Sequence, residues 1–204
     1  IIAVLGIILF FFYGKEITIE DILSYTPKNK LMAIIFILMM FFIKSLSVMF
    51  PSGVIYIVTG MLFTPLLAIV INIIGISIGF IYSYWAGHIS GKELKDQLII
   101  KYPKLRQLDS IMKNNECFIT FIVRIVGVLP IDVVSMFMGS MGISFKKYLV
   151  ASILGTLPML LPTTFIGITI TNPRSPEFIL SLLFRIIFAI ISMLIYRKVI
   201  NKRY

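Results

Sequence analysis

Four long apolar runs, at 31–43, 54–86, 147–170 and 178–196, constrain this chain more than any other feature. A single soluble core cannot hide them. Of the 204 residues 59% are hydrophobic and the mean hydropathy is +1.02, whereas globular domains stay near half apolar and keep charged faces. The runs are continuous rather than alternating, which fits helices and not barrel strands. The expected fold class is an all-α integral membrane protein. Residues 1–13 read as the tail of a first transmembrane helix, since no small-residue cleavage site precedes Gly14-Lys15-Glu16 as a signal peptide would need.

The net charge of +10 suggests nucleic acid only until its distribution is considered. Lys92, Lys95, Lys101, Lys104, Arg106 and Lys113 fall between 88 and 116 with four acids among them, Lys146 and Lys147 follow, and Arg197, Lys198, Lys202 and Arg203 close the chain. That is the positive-inside pattern. It places both termini and the 88–116 loop in the cytoplasm, with no nucleic-acid partner. Residues 14–30 read as an extracytoplasmic amphipathic segment with Ile19, Ile22 and Leu23 on one side, suited to a membrane surface, and 92–113 as a basic one that either lies on that surface or is a solvated topogenic loop.

Two stretches repeat a spacing. Pro51, Gly60, Gly75 and Gly87 are matched by Pro130, Gly139, Gly155 and Gly167, with one residue inserted near Gly142. A lone cation precedes each proline, Lys44 by seven residues and Arg124 by six. Paired, interrupted hydrophobic segments in two halves point to a substrate site between repeats; ordinary helix kinks are the plainer reading. Given the orientation, 31–65 must enter and leave from outside and 117–145 from the cytoplasm. They read as opposed re-entrant hairpins with tips and hinges at Pro51, Gly53, Gly60, Pro130 and Gly139, because irregular backbone survives at membrane depth only where protein or water satisfies it. A six-span arrangement without hairpins is the alternative. Transmembrane helices at 66–87 and 147–170 follow the hairpins, then a last one at 178–196 and a basic tail at 197–204. Gly75, Gly79, Ser83 and Gly87 form a small stripe for close helix packing, and Gly155 and Pro158 give the second helix a small, bent face.

Lys44, Arg124, Asp132 and Arg185 are ionisable residues inside apolar stretches. An arginine or lysine at the bilayer centre costs roughly 2.5–3.5 kcal/mol on insertion scales, so such residues face a cavity, a partner or the interface. Snorkelling is a fair rival for Arg185. Arg124 lies too deep for it, and Asp132 can either pair with Arg124 or titrate and couple transport to protons. Three cations against one carboxylate leave a positive centre, and arginine's fork of donors matches phosphate oxygens. A membrane lipid with an anionic or phosphate headgroup is the expected partner. Neither the lone His88 nor the lone Cys117 supports a metal site, no cofactor is implied, and no catalytic constellation marks an enzyme.

The run from Phe121 through Arg124, Pro130, Asp132, Ser135 and Gly139 to Phe145, continued by Leu154-Gly155 and Pro158, resembles the second half of the VTT domain of the DedA superfamily, which includes the SNARE-associated Golgi proteins. Pro51-Ser52-Gly53 to Gly60, Gly75 and Gly87 is similar to its first re-entrant motif. The resemblance spans about residues 31–170 and implies an inverted repeat of two re-entrant hairpins, each followed by a transmembrane helix, in a protein moving lipids between leaflets. The implied substrates are phospholipids or undecaprenyl phosphate, and the implied location is a bacterial cell membrane. Arg124, Lys44, Asp132 and Ser135 are the expected substrate-binding residues. The bacterial branch carries an acidic residue after Pro-Gly in its first hairpin, and Pro51-Ser52-Gly53 has none. A small-solute or ion transporter and a scaffold without transport are the competing readings.

Overall fold

The computed structural model describes residues 18–46, 51–106, 115–127 and 129–199. The expected first helix at 1–13, residues 107–114 of the basic loop and the last five residues lie outside that set. Among the described residues the chain forms helices and no strands: α1 (Ile19–Tyr25), α2 (Lys30–Leu46), α3 (Ser52–Leu62), α4 (Pro65–Lys101), α5 (Glu116–Val126), α6 (Ile131–Ser140), α7 (Phe145–Thr169) and α8 (Pro176–Val199).

Local chemistry explains where these helices start and stop. A capping box opens α1, with the Thr18 hydroxyl accepting from the Asp21 amide and the Asp21 carboxylate accepting from the Thr18 amide. Asn29, Asn115 and Ser175 satisfy first-turn amides of α2, α5 and α8 in the same way. Thr64 precedes Pro65, a proline at the first helical position, where its missing N–H costs nothing. At the other end of α5, Gly127 sits in the left-handed region (φ 61°, ψ 23°) and donates to the Val123 carbonyl, a turn a side chain would strain. Pro51, in extended backbone, and Pro130 (φ −54°, ψ 134°) then stand immediately before α3 and α6. The chain thus holds two helix–break–helix units, α2–α3 and α5–α6.

Each unit is followed by a long helix, and packing crosses between the halves. The first arms, α2 and α5, lie against the helix that follows their own unit; the second arms exchange, α3 onto α7 and α6 onto α4. Glycines permit the exchange. A Cβ on Gly60 would overlap the backbone of Thr164 to Ile168, and one on Gly167 the backbone of Ile57; likewise Gly139 meets the Tyr84 carbonyl and Gly87 the Met136 carbonyl. Backbone contacts of that kind cannot move aside, so these crossings close only without side chains. Gly75 receives the Phe41 ring and Gly155 the start of the Arg124 side chain, whereas Gly79 and Gly53 meet neighbours only at ordinary separations.

Three described helices are long and apolar enough to cross a membrane: α4, α7 and the Pro176–Leu194 part of α8. The most apolar window of α8 is only 6% buried against protein, compared with 44% for α4 and α7. An all-round apolar helix with so little cover needs lipid around it, and this is a membrane protein. One expectation is revised: α4 does not end at Gly87 but stays helical through Lys101, broken only at Gly91, where φ is 57°. The start of the expected 88–116 loop is therefore helix, as the amphipathic spacing of 92–101 allows. Gly91 has nothing within 4 Å of where a Cβ would stand, so the break is a backbone requirement rather than a packing one. In α1, Ile22 is buried and Ile19 and Leu23 pack against the core.

Candidate functional site

Two charged centres lie side by side at the start of α6. In the first, Lys44 from α2 donates through Nζ to Asp132 Oδ2 at 2.6 Å, and both side chains are under 5% exposed. Ser83 from α4 donates to the other carboxylate oxygen at 3.3 Å. Three elements are thereby tied through one carboxylate. Asp132 was expected to pair with Arg124 or stand free to titrate; it is instead held by Lys44, 88 positions away in sequence.

The second centre surrounds Arg124 on α5. Its Nε donates to Ser152 Oγ (3.2 Å), Nη1 to the Ile131 carbonyl (2.7 Å), and Nη2 to Ser135 Oγ (2.7 Å) and Tyr148 Oη (3.2 Å). The Tyr148 hydroxyl passes its own proton on to the Phe80 carbonyl at 3.1 Å. The guanidinium carbon also stands 4.4 Å from the centre of the Phe80 ring, in cation–π range. Every one of these partners is neutral. Four of the five donors are occupied, the charge is not balanced, and one Nη1 hydrogen remains.

Arg124 also lines a cavity of about 320 Å³ between α5, α7 and α8, together with Gly127, Pro158, Arg185 and Ser192. No acidic residue lines it among the described residues. Pro158 lies inside α7, where it has no N–H for the Leu154 carbonyl; Pro162 does the same to the Pro158 carbonyl. Helix α8 closes the cavity against α5 through one hydrogen bond, from Ser192 Oγ to the Ile125 carbonyl at 2.9 Å. No described group of three or more His, Cys, Asp or Glu side chains can hold a metal.

Of the four expected ligands, the structure brings Arg124 together with Ser135, and Lys44 together with Asp132. Only Arg124 reaches the cavity. The expected tips fall at helix starts: Pro51 and Pro130 precede α3 and α6, and Gly53 stands in the first turn of α3 with the Thr163 methyl 4.0 Å from a Cβ position. Sequence reasoning missed Tyr148, Ser152 and Phe80 as partners of Arg124 and Ser83 as a partner of Asp132. The only prior signal was the place of Ser83 in the small-residue stripe of α4. Two buried polar atoms, Tyr56 Oη and Asn72 Oδ1, have no hydrogen-bond partner among the described residues.

A family model described as the VTT domain matches residues 50–169, more than half of the chain. No curated protein and no solved structure matches.

Proposed function

This chain belongs to the VTT-domain family, the DedA/SNARE-associated Golgi family, and from that premise we propose that it is a lipid transporter or scramblase whose Arg124 centre binds a phosphate headgroup. One observation carries the reading: the sole described buried carboxylate, Asp132, is consumed by Lys44, so Arg124 faces the cavity with neutral partners alone. A phosphate is the anion whose oxygens fit a planar fork of donors. The cavity is bounded by α8, whose outer face is exposed and apolar, so acyl or prenyl tails can stay in lipid while the headgroup sits inside. In this reading α2–α3 and α5–α6 are opposed re-entrant hairpins of an inverted repeat, in a bacterial cell membrane with both termini cytoplasmic. The exchange of second arms between the two long helices supports it.

Reconstitution into liposomes tests the function. Headgroup movement between leaflets without solute leakage is expected; flux of a small solute alone would make the protein a solute transporter instead. Topology is tested by single cysteines in a Cys117→Ser background. Those at Asn29 and Ser175 should react from outside and one at Lys101 only from inside, and outside labelling at Lys101 would overturn the hairpin arrangement.

A further inference from the structure

The cavity has a second cationic wall. Arg185 comes from α8, nine positions past Pro176, among exposed apolar neighbours such as Phe184 and Ile186. A snorkelling arginine would send its head along the helix to the headgroup zone. Arg185 does not: its guanidinium turns toward α7 and donates through Nη1 to Thr163 Oγ1 at 2.5 Å. Thr163 spends its own proton on the Met159 carbonyl at 2.6 Å, so it offers Arg185 a lone pair and no charge. One neutral hydroxyl is a poor resting partner for a group with five donors and a full positive charge.

We infer that Arg185 is the second ligand of the anion site, parked on Thr163 when the cavity is empty and transferred to the phosphate when it is filled. The inference rests on the phosphate reading above and extends it. It makes the site a clamp of two guanidinium groups carried by different helices, α5 and α8, of which, among the described residues, one is held by four bonds and the other by one. Arg124 is thus the fixed jaw and Arg185 the movable one. With Lys44 neutralised by Asp132, the two positive charges of the cavity await a single anion.

A binding measurement on the full chain in detergent tests this with inorganic phosphate as the probe. Ala189 lines the cavity and is exposed, so Ala189→Cys in a Cys117→Ser background gives one reporter thiol. Phosphate should slow its reaction with a maleimide. Arg185→Gln should raise the phosphate concentration needed for that protection about tenfold, the loss expected for a charged hydrogen-bonding partner. Thr163→Val, which removes the parking hydroxyl and keeps the methyl-sized bulk, should lower it, a change no packing role predicts. Acyl-labelled phosphatidic acid in phosphatidylcholine vesicles should cross more slowly with Arg185→Lys, which keeps charge but loses the fork. Protection unchanged in Arg185→Gln but lost in Arg124→Lys would overturn the clamp and leave the Arg124 reading standing. Protection absent in the parent, or unchanged in Arg124→Lys, would overturn both. Should Arg185→Gln fail to accumulate, Thr163→Val decides: an unchanged phosphate requirement there removes Arg185 from the site.

Discussion

The Lys44 centre and the Arg124 centre are made of the same materials and finish with different charge. Each takes one cation from the first arm of a helix–break–helix unit and hydroxyl partners from a long helix. Lys44 closes on Asp132 across the halves, with Ser83 completing the carboxylate. Arg124 closes on Ser135, Ser152, Tyr148 and a carbonyl, none of them charged. The first arrangement is finished without a ligand, and the second is hydrogen-bonded but electrically open. Burial therefore does not distinguish the two centres. The presence or absence of a counter-charge does, and on the proposed reading it is what leaves Arg124 available to a headgroup.

The largest effect should come from breaking the closed centre. Removing one member of a buried ion pair leaves the other charge uncompensated, a loss of about 3–5 kcal/mol. Asp132→Asn or Lys44→Met alone should sharply lower the yield of folded, monodisperse protein in detergent. The double variant Lys44→Met/Asp132→Leu should recover most of it, because an apolar pair needs no compensation. If the double variant recovers yield and also keeps lipid transport, the first centre is structural. If yield returns and transport does not, the pair works in the cycle and the contrast between centres fails.

Next in size is the open centre. Arg124→Lys keeps the charge but loses the fork that reaches Ser135, Tyr148 and Ser152 together, so about 1.5–3 kcal/mol of charge-assisted bonding goes with it. Lipid movement in liposomes should fall by about 10- to 100-fold at normal membrane abundance. Loss of abundance together with transport would show that the four bonds are packing and not a site.

The glycine crossings sharpen the comparison at the level of the frame. Gly60 on Gly167 and Gly139 on Gly87 are paired approaches of backbone to backbone. Overpacking usually costs about 1–3 kcal/mol when side chains can yield, and here backbone would have to move. Gly139→Ala and Gly60→Ala should therefore lower thermal stability in detergent by similar amounts, and Gly53→Ala should be near neutral because its Cβ has only a methyl at 4.0 Å. A large loss at Gly53 with none at Gly60 would show that the two halves do not hold each other.

Much of this frame was legible in the sequence and the pairing within it was not. The cations before Pro51 and Pro130 and the matched glycines pointed to two similar units, because a charge inside an apolar run is rare and costly and here it recurs at a matched distance from each proline. What the sequence does not encode locally is which second arm lies on which long helix, and that exchange puts Asp132 against Lys44 rather than Arg124. Hydroxyl residues mislead for another reason. Thr59, Thr156, Thr163 and Thr164 all return their protons to the carbonyl four residues back, so a serine or threonine in such a helix looks satisfied whether or not it also meets an arginine. Ser135 does both: it donates to the Ile131 carbonyl and accepts from Arg124.

The smallest expected effect asks why the two centres differ at all. Asp132 stands two residues after Pro130, and the residue two after Pro51 is Gly53, where the first unit has no carboxylate to offer. Gly53→Asp supplies one. A Cβ there finds open space apart from the Thr163 methyl, so the variant should fold at near-normal yield. If the new carboxylate reaches Arg124 as Asp132 reaches Lys44, it competes with the phosphate while ionised, and transport should slow by a fewfold at neutral pH. An aspartate ordinarily takes up its proton and loses its charge near pH 3.9. Transport by the variant should therefore recover as the pH is lowered toward that range, while the parent, lacking the added acid, shows no such recovery. Liposome assays of both proteins across the same pH series provide the check. Equal rates at every pH would mean that Gly53 does not face the Arg124 centre, and that the missing carboxylate is not what keeps it open.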